Sequence, residues 1–155
     1  MEMKNVLIIV PAYNEEENIS AVLQNLHAVD KTWDVVVIND SSKDNTSKIA
    51  RKTGLAHVID LPVNLGIGGC VQTGFRYARV NGYDYALQFD GDGQHNAGEI
   101  TKLLDIVSNK EADVAIGSRF NQKHDGFKSS PFRRIGIRIF EWFSYMLIRQ
   151  RITDH

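Results

Sequence analysis

The chain has 155 residues, enough for one domain with a sizeable core. Its 43% hydrophobic and 24% charged content belongs to an ordinary soluble domain and excludes a disordered chain. Eighteen basic against 19 acidic residues leave a net charge of −1, which gives no reason to expect a nucleic-acid partner. The lone Cys70 excludes an internal disulfide framework and fits a reducing compartment. The apolar run near the N-terminus is too short for a signal-peptide core, so a cytoplasmic protein is expected.

In chain order, VLIIV (6–10) reads as a buried strand and is followed by a helical pattern near 15–28. Ile19, Val22, Leu23 and Leu26 supply the apolar face of that helix, and Glu15, Glu16 and Glu17 its acidic first turn. VVVI (35–38) is the second strand; Ser41 to Asp44 then offer N-caps to a helix near 43–53. HVIDL (57–61) precedes a glycine-rich helix near 67–80, and YALQF (85–89) precedes one near 97–109. VAIG (114–117) closes the series as a fifth buried strand. Such alternation with short connections predicts an α/β domain on a largely parallel sheet. The expected division is a ligand-binding domain over 1–122 and a basic helical segment over 123–155.

Ligands of open parallel sheets bind beyond the carboxyl ends of the strands. Those exits are Pro11–Glu15, Asn39–Ser42, Pro62–Gly66, Asp90–Asp92 and Ser118–Arg119, and four of the five carry an ionisable group. At the fourth exit Asp90 and Asp92 share the two-residue period of an extended chain, with Gly91 and Gly93 leaving room for a ligand. Two like charges ending a buried strand repel unless a cation compensates. Paired carboxylates suit Mg²⁺ or Mn²⁺ bridging to a diphosphate, while a hydrophilic turn is the competing reading. A calcium loop counted from Asp90 fails, because His95 falls where glycine is required and Thr101 where the closing glutamate belongs.

The run NLGIGGCVQTG (64–74) opens a helix whose amides could cradle phosphate, or whose glycines could pack closely on the sheet. Val71 replaces the third glycine of a dinucleotide fingerprint and the Walker lysine is absent, so neither cofactor site is expected. Asp40 could accept hydrogen bonds from a nucleobase or ribose, or cap the helix after it. His95 reads as a bystander, and no Ser-His-Asp set is discernible. Residues 131–151 form an amphipathic basic pattern too interrupted by charge for a membrane span, which needs roughly 18 or more apolar residues. Such a helix suits packing on its own domain or contact with an anionic membrane surface.

With PAYNEEENI, VINDSSKDNT, NLGIGG, FDGDGQH and IGSR in this order, the chain resembles family 2 glycosyltransferases, most of all polyprenyl- and dolichyl-phosphate sugar synthases. The resemblance implies a three-layer GT-A fold, Rossmann-like, and inverting transfer of sugar from a UDP- or GDP-sugar to a polyprenyl-phosphate carrier in cell-envelope glycan assembly. A saccharide hydroxyl acceptor and a non-catalytic nucleotide-binding module are the alternatives. It also implies that Pro11, Tyr13, Glu15, Asp40, Asp90 and Arg119 bind the donor nucleotide, and that Asp90, Asp92 and Gln94 hold Mg²⁺ or Mn²⁺. The family often has two aspartates where this chain has Asn39 and Asp40. No catalytic base is assigned. Relatives continue past the equivalent of Asp154 into an element that completes the active site, so a truncated chain is expected, with contact at the inner face of the cytoplasmic membrane.

Overall fold

In the computed structural model, residues 6–93 and 97–117 are described. Two compact units divide the chain, Met1–Glu111 and Ala112–His155. The first holds four parallel strands: β1 (Val6–Ala12), β2 (Asp34–Asn39), β3 (His57–Asp60) and β4 (Tyr85–Gln88). Their spatial order is β3-β2-β1-β4. Helices α1 (Ile19–Val29), α2 (Thr46–Thr53), α3 (Gly66–Val80) and α4 (Ile100–Ser108) connect or follow them. A 3₁₀ turn, Ala97–Glu99, leads into α4.

The period-2 alternation of β1 explains the layers. Ile8, Val10 and Ala12 face one core with Val35 and Val37 of β2, Ile19, Val22, Leu23 and Leu26 of α1, Ala50 of α2 and Ile100 of α4. Leu7 and Ile9 face the other, with Val36, Ile38 and Cys70 and Ala78 of α3. Helices on both faces of a parallel sheet make the three-layer α/β arrangement expected from the alternation. β1 and β2 are buried almost throughout, whereas β3 and β4, expected to be fully buried, are only partly so. They are the outer strands of this sheet: Val58 and Leu87 pack on one core and Ile59 and Ala86 on the other, but each strand has a neighbour on one side alone among the described residues.

Two expectations are corrected. Residues 114–117 form no strand, and Val114 and Ile116 are 73% and 82% exposed. β-branched residues favour extended backbone, but a strand exists only where a neighbour completes its ladder. The acidic cluster Glu15–Glu17 also falls outside the first turn of α1, which starts at Ile19. The Glu15 carbonyl instead accepts from the Asn18 and Ile19 amides at 3.1 and 2.9 Å, closing a turn before the helix.

Candidate functional site

Strands β3, β2 and β1 follow one another outward, and β4 then returns to the far side of β1. This reversal of order between β1 and β4 is the switch point at which open parallel sheets bind ligands. A cavity of about 220 Å³ opens there. It is lined by Pro11, Ala12, Tyr13 and Glu15 after β1, Asp40 after β2, Ile67 and Cys70 on α3, and Asp90, Gly91 and Asp92 after β4. Six residues expected from sequence therefore meet: Pro11, Tyr13, Glu15, Asp40, Asp90 and Asp92. Gln94, Arg119 and the whole of 131–151 lie outside the described residues.

Close backbone approach makes this convergence possible. A Cβ on Gly91 would lie 3.0 Å from the Pro11 carbonyl oxygen, so glycine lets the β4 exit lie against the β1 exit. Asn14 and Ser41, just past the first two strands, hold left-handed φ values of 56° and 60°. Outside glycine that region costs about 1–2 kcal/mol per residue, and it persists where surrounding contacts enforce it.

Asp40 is buried and occupies a position the sequence did not reveal. Its carboxylate accepts from the Leu65 and Gly66 amides at 2.7 and 2.9 Å, and its carbonyl accepts from Asn64 Nδ2 at 3.2 Å. It caps α3 across the sheet rather than α2, the helix that follows it in sequence. α3 has no acidic residue in its own first turn, so Asp40 also supplies the negative charge favoured at a helix N-terminus. Helix capping does not exclude nucleobase recognition by Asp40, because each carboxylate oxygen can accept more than one hydrogen bond. Cys70 lies one turn along α3, fully buried. Burial, with the charge and hydrogen bond of Asp40, pushes its thiol up to about 11, so it is a neutral wall residue. Ile67 and Cys70, at helical i,i+3 spacing after the glycine-rich exit, are lining residues that the motifs did not single out.

The glycine-rich segment packs as well as lines. A Cβ on Gly74 would meet Ile9 Cγ2 at 2.2 Å, which fixes how closely α3 lies on β1.

Asn39 is structural. Its Nδ2 donates to Asp60 Oδ1 at 2.8 Å, and Asp60 pairs with Arg51 at 2.7 Å. Burial raises the Asp60 carboxyl, but hydrogen bonds from Ser47, Arg51 and Asn39 outweigh it and hold the group below its usual value. Asn39→Asp would set a carboxylate against this charge. It should cost about 1–3 kcal/mol at neutral pH. Repulsion raises the pKa of the introduced carboxyl, so the deficit is full above that raised value and shrinks as pH falls toward about 4. Urea midpoints at pH 7 and 4 check this; equal midpoints for variant and wild type at pH 7 would refute the role.

Hard carboxylate oxygens on one cavity wall, from Asp90 and Asp92, are the donor chemistry of Mg²⁺ or Mn²⁺. Asp90 Oδ1 also accepts from Gln88 Nε2 at 2.9 Å, which restrains its orientation. Among the described residues no cluster of three or more His, Cys, Asp or Glu forms a cage of its own. Two carboxylates fit an ion shared with ligand phosphates, the usual mode for Mg²⁺.

The model of the family described as Glycosyl transferase family 2 matches residues 7–155. The UDP-N-acetylglucosamine–dolichyl-phosphate N-acetylglucosaminyltransferase of Methanococcus voltae is 31% identical over 99% of this chain and 67% of its own length. The polyprenol monophosphomannose synthase of Mycolicibacterium smegmatis is 34% identical over 76% of this chain and 46% of its own. The chain thus spans about half to two thirds of the curated relatives it matches. Among solved structures, the mannosyltransferase PcManGT of Pyrobaculum calidifontis, in complex with GDP-Man and Mn²⁺, superposes with a TM-score of 0.56 at 24% identity. That match covers 64% of this chain and 31% of the other, and it identifies the fold as GT-A.

Proposed function

This chain belongs to glycosyl transferase family 2, and we propose from that premise that it carries the donor site of an inverting sugar transferase. The donor is a UDP- or GDP-sugar and the acceptor a polyprenyl-phosphate-type lipid, in cell-envelope glycan assembly. One observation carries the reading: six residues from three strand exits line a single cavity at the switch point. The names of the relatives, which act on dolichyl phosphate or make a polyprenol monophosphosugar, support the acceptor class.

In this reading Asp40 accepts an N–H of the base while it holds the start of α3. Tyr13, 45% exposed beside the cavity, offers a ring face for stacking on the base. Pro11 and Glu15 complete that wall. Asp90 and Asp92 would hold Mg²⁺ or Mn²⁺, with Gln94 proposed as a further ligand and Arg119 as a partner of the donor phosphates. A divalent ion bound there would supply Lewis-acid neutralisation of the departing diphosphate. A lipid phosphate oxygen is already an anion and needs little help from a general base.

The nucleotide-sugar-binding part is assigned to 1–122, with 123–155 opening a C-terminal part. No helix among the described residues is long and apolar enough to cross a membrane. Cytoplasmic placement, with peripheral membrane contact through the basic segment 131–151, belongs to the same proposal.

Thermal shift with UDP, GDP, CDP and ADP, each with and without Mn²⁺, tests the donor site. Stabilisation by UDP or GDP that requires the metal is expected, at about 2.7 kcal/mol for ligand at 100 times its Kd. No metal-dependent stabilisation by any of the four would overturn the reading.

A further inference from the structure

The segment SSKDNT (41–46) supplies no residue to the cavity lining, yet Ser42 to Thr46 are hydrogen-bonded to residues 14–16 after β1. Thr46, fully buried at the start of α2, accepts from the Glu15 amide at 2.8 Å and donates its hydroxyl proton to Asp44 Oδ1. The other oxygen of Asp44 accepts from the Glu16 amide at 3.1 Å. Glu16 Oε2 returns the contact, accepting from the Asn45 amide and its Nδ2 at 2.9 and 3.0 Å. Farther out, the Asn14 amide donates to Ser42 Oγ at 3.0 Å, and Asn14 Oδ1 accepts from the Lys43 amide at 2.9 Å.

These bonds hold three consecutive amides, those of residues 14 to 16, to side chains of the β2–α2 loop and of Thr46, the first residue of α2. Asn14, bonded through both its amide and its side chain, holds its left-handed φ of 56° within this network. Tyr13 and Glu15 on one side of the cavity and Asp40 on the other are thereby placed at a fixed separation. The Thr46 hydroxyl is the hinge of the network, because its proton goes to Asp44 and its lone pair to Glu15.

We propose that Thr46, with Asp44 and Glu16, is a positioning residue for nucleotide binding, acting through the backbone of Glu15 without touching the ligand. This rests on the donor-site reading above. Misplacing a wall that must meet both base and diphosphate lowers affinity even where the fold survives.

The test is calorimetric titration of the chain with UDP or GDP and Mn²⁺, well below the melting temperature. Thr46→Val keeps the shape and removes the hydroxyl; Thr46→Ser keeps the hydroxyl. Thr46→Val should weaken binding about tenfold or more, and Thr46→Ser should restore most of it. Ala78→Gly, in the last turn of α3 and away from the cavity, controls for lost stability. It should lower the melting temperature and leave affinity unchanged. Unchanged affinity in Thr46→Val, or an equal loss in Ala78→Gly, would overturn the positioning role alone. Failure of the wild-type chain to bind either nucleotide would overturn the donor site, and the inference with it.

Discussion

Asp92→Asn is expected to weaken metal-dependent nucleotide binding by about 100-fold, the loss when one partner of a close charge interaction is neutralised. The amide keeps the size of the carboxylate but loses its charge, and it is a poorer ligand for a hard divalent cation. Isothermal titration with and without Mn²⁺ reads the change. Affinity unchanged by the substitution would remove Asp92 from the site.

Gly74→Val should destabilise the fold by about 3 kcal/mol. The helix gains only a few tenths of a kcal/mol in propensity from the change, while a Cβ must enter space held by Ile9 Cγ2 at 2.2 Å and Cγ1 at 2.9 Å. Ile9 is β-branched and fully buried on β1, so it has little freedom to turn aside. α3 must then stand off the sheet, which also draws Leu65 and Gly66 away from Asp40. The urea midpoint should fall sharply, with nucleotide affinity falling beside it. A midpoint within error of wild type would show that α3 does not depend on this contact.

Much of this was legible in local sequence, and the remainder was not for a physical reason. β1 and β2 are apolar runs rich in β-branched residues, and the apolar spacing of α1 names the four residues it buries. The acidic pair at 90 and 92 pointed to the site because its period and its glycines are local properties. Asp40 was read only as a base-binding group or as the cap of the next helix. Its bonds to Leu65 and Gly66 join residues 25 and 26 positions apart, which no spacing rule reports. The same holds for Glu15 and Glu16, whose amides are bonded to Thr46 and Asp44. A local rule gives those acids to a helix dipole, whereas the Glu16 carboxylate is bonded to Asn45 and that of Glu15 to Asn18. VAIG failed for the converse reason, since propensity is local and a strand's ladder is not.

Asp90 and Asp92 are proposed to bind a divalent ion together with a nucleotide diphosphate at the switch point between β1 and β4. Anomalous scattering from crystals of the chain grown with Mn²⁺ and UDP or GDP tests it most directly. One strong manganese peak is expected within coordination distance of the Asp92 carboxylate and the diphosphate, with the base beside Asp40. A nucleotide bound with its phosphates away from Asp90 and Asp92, or a manganese peak elsewhere on the chain, would contradict it.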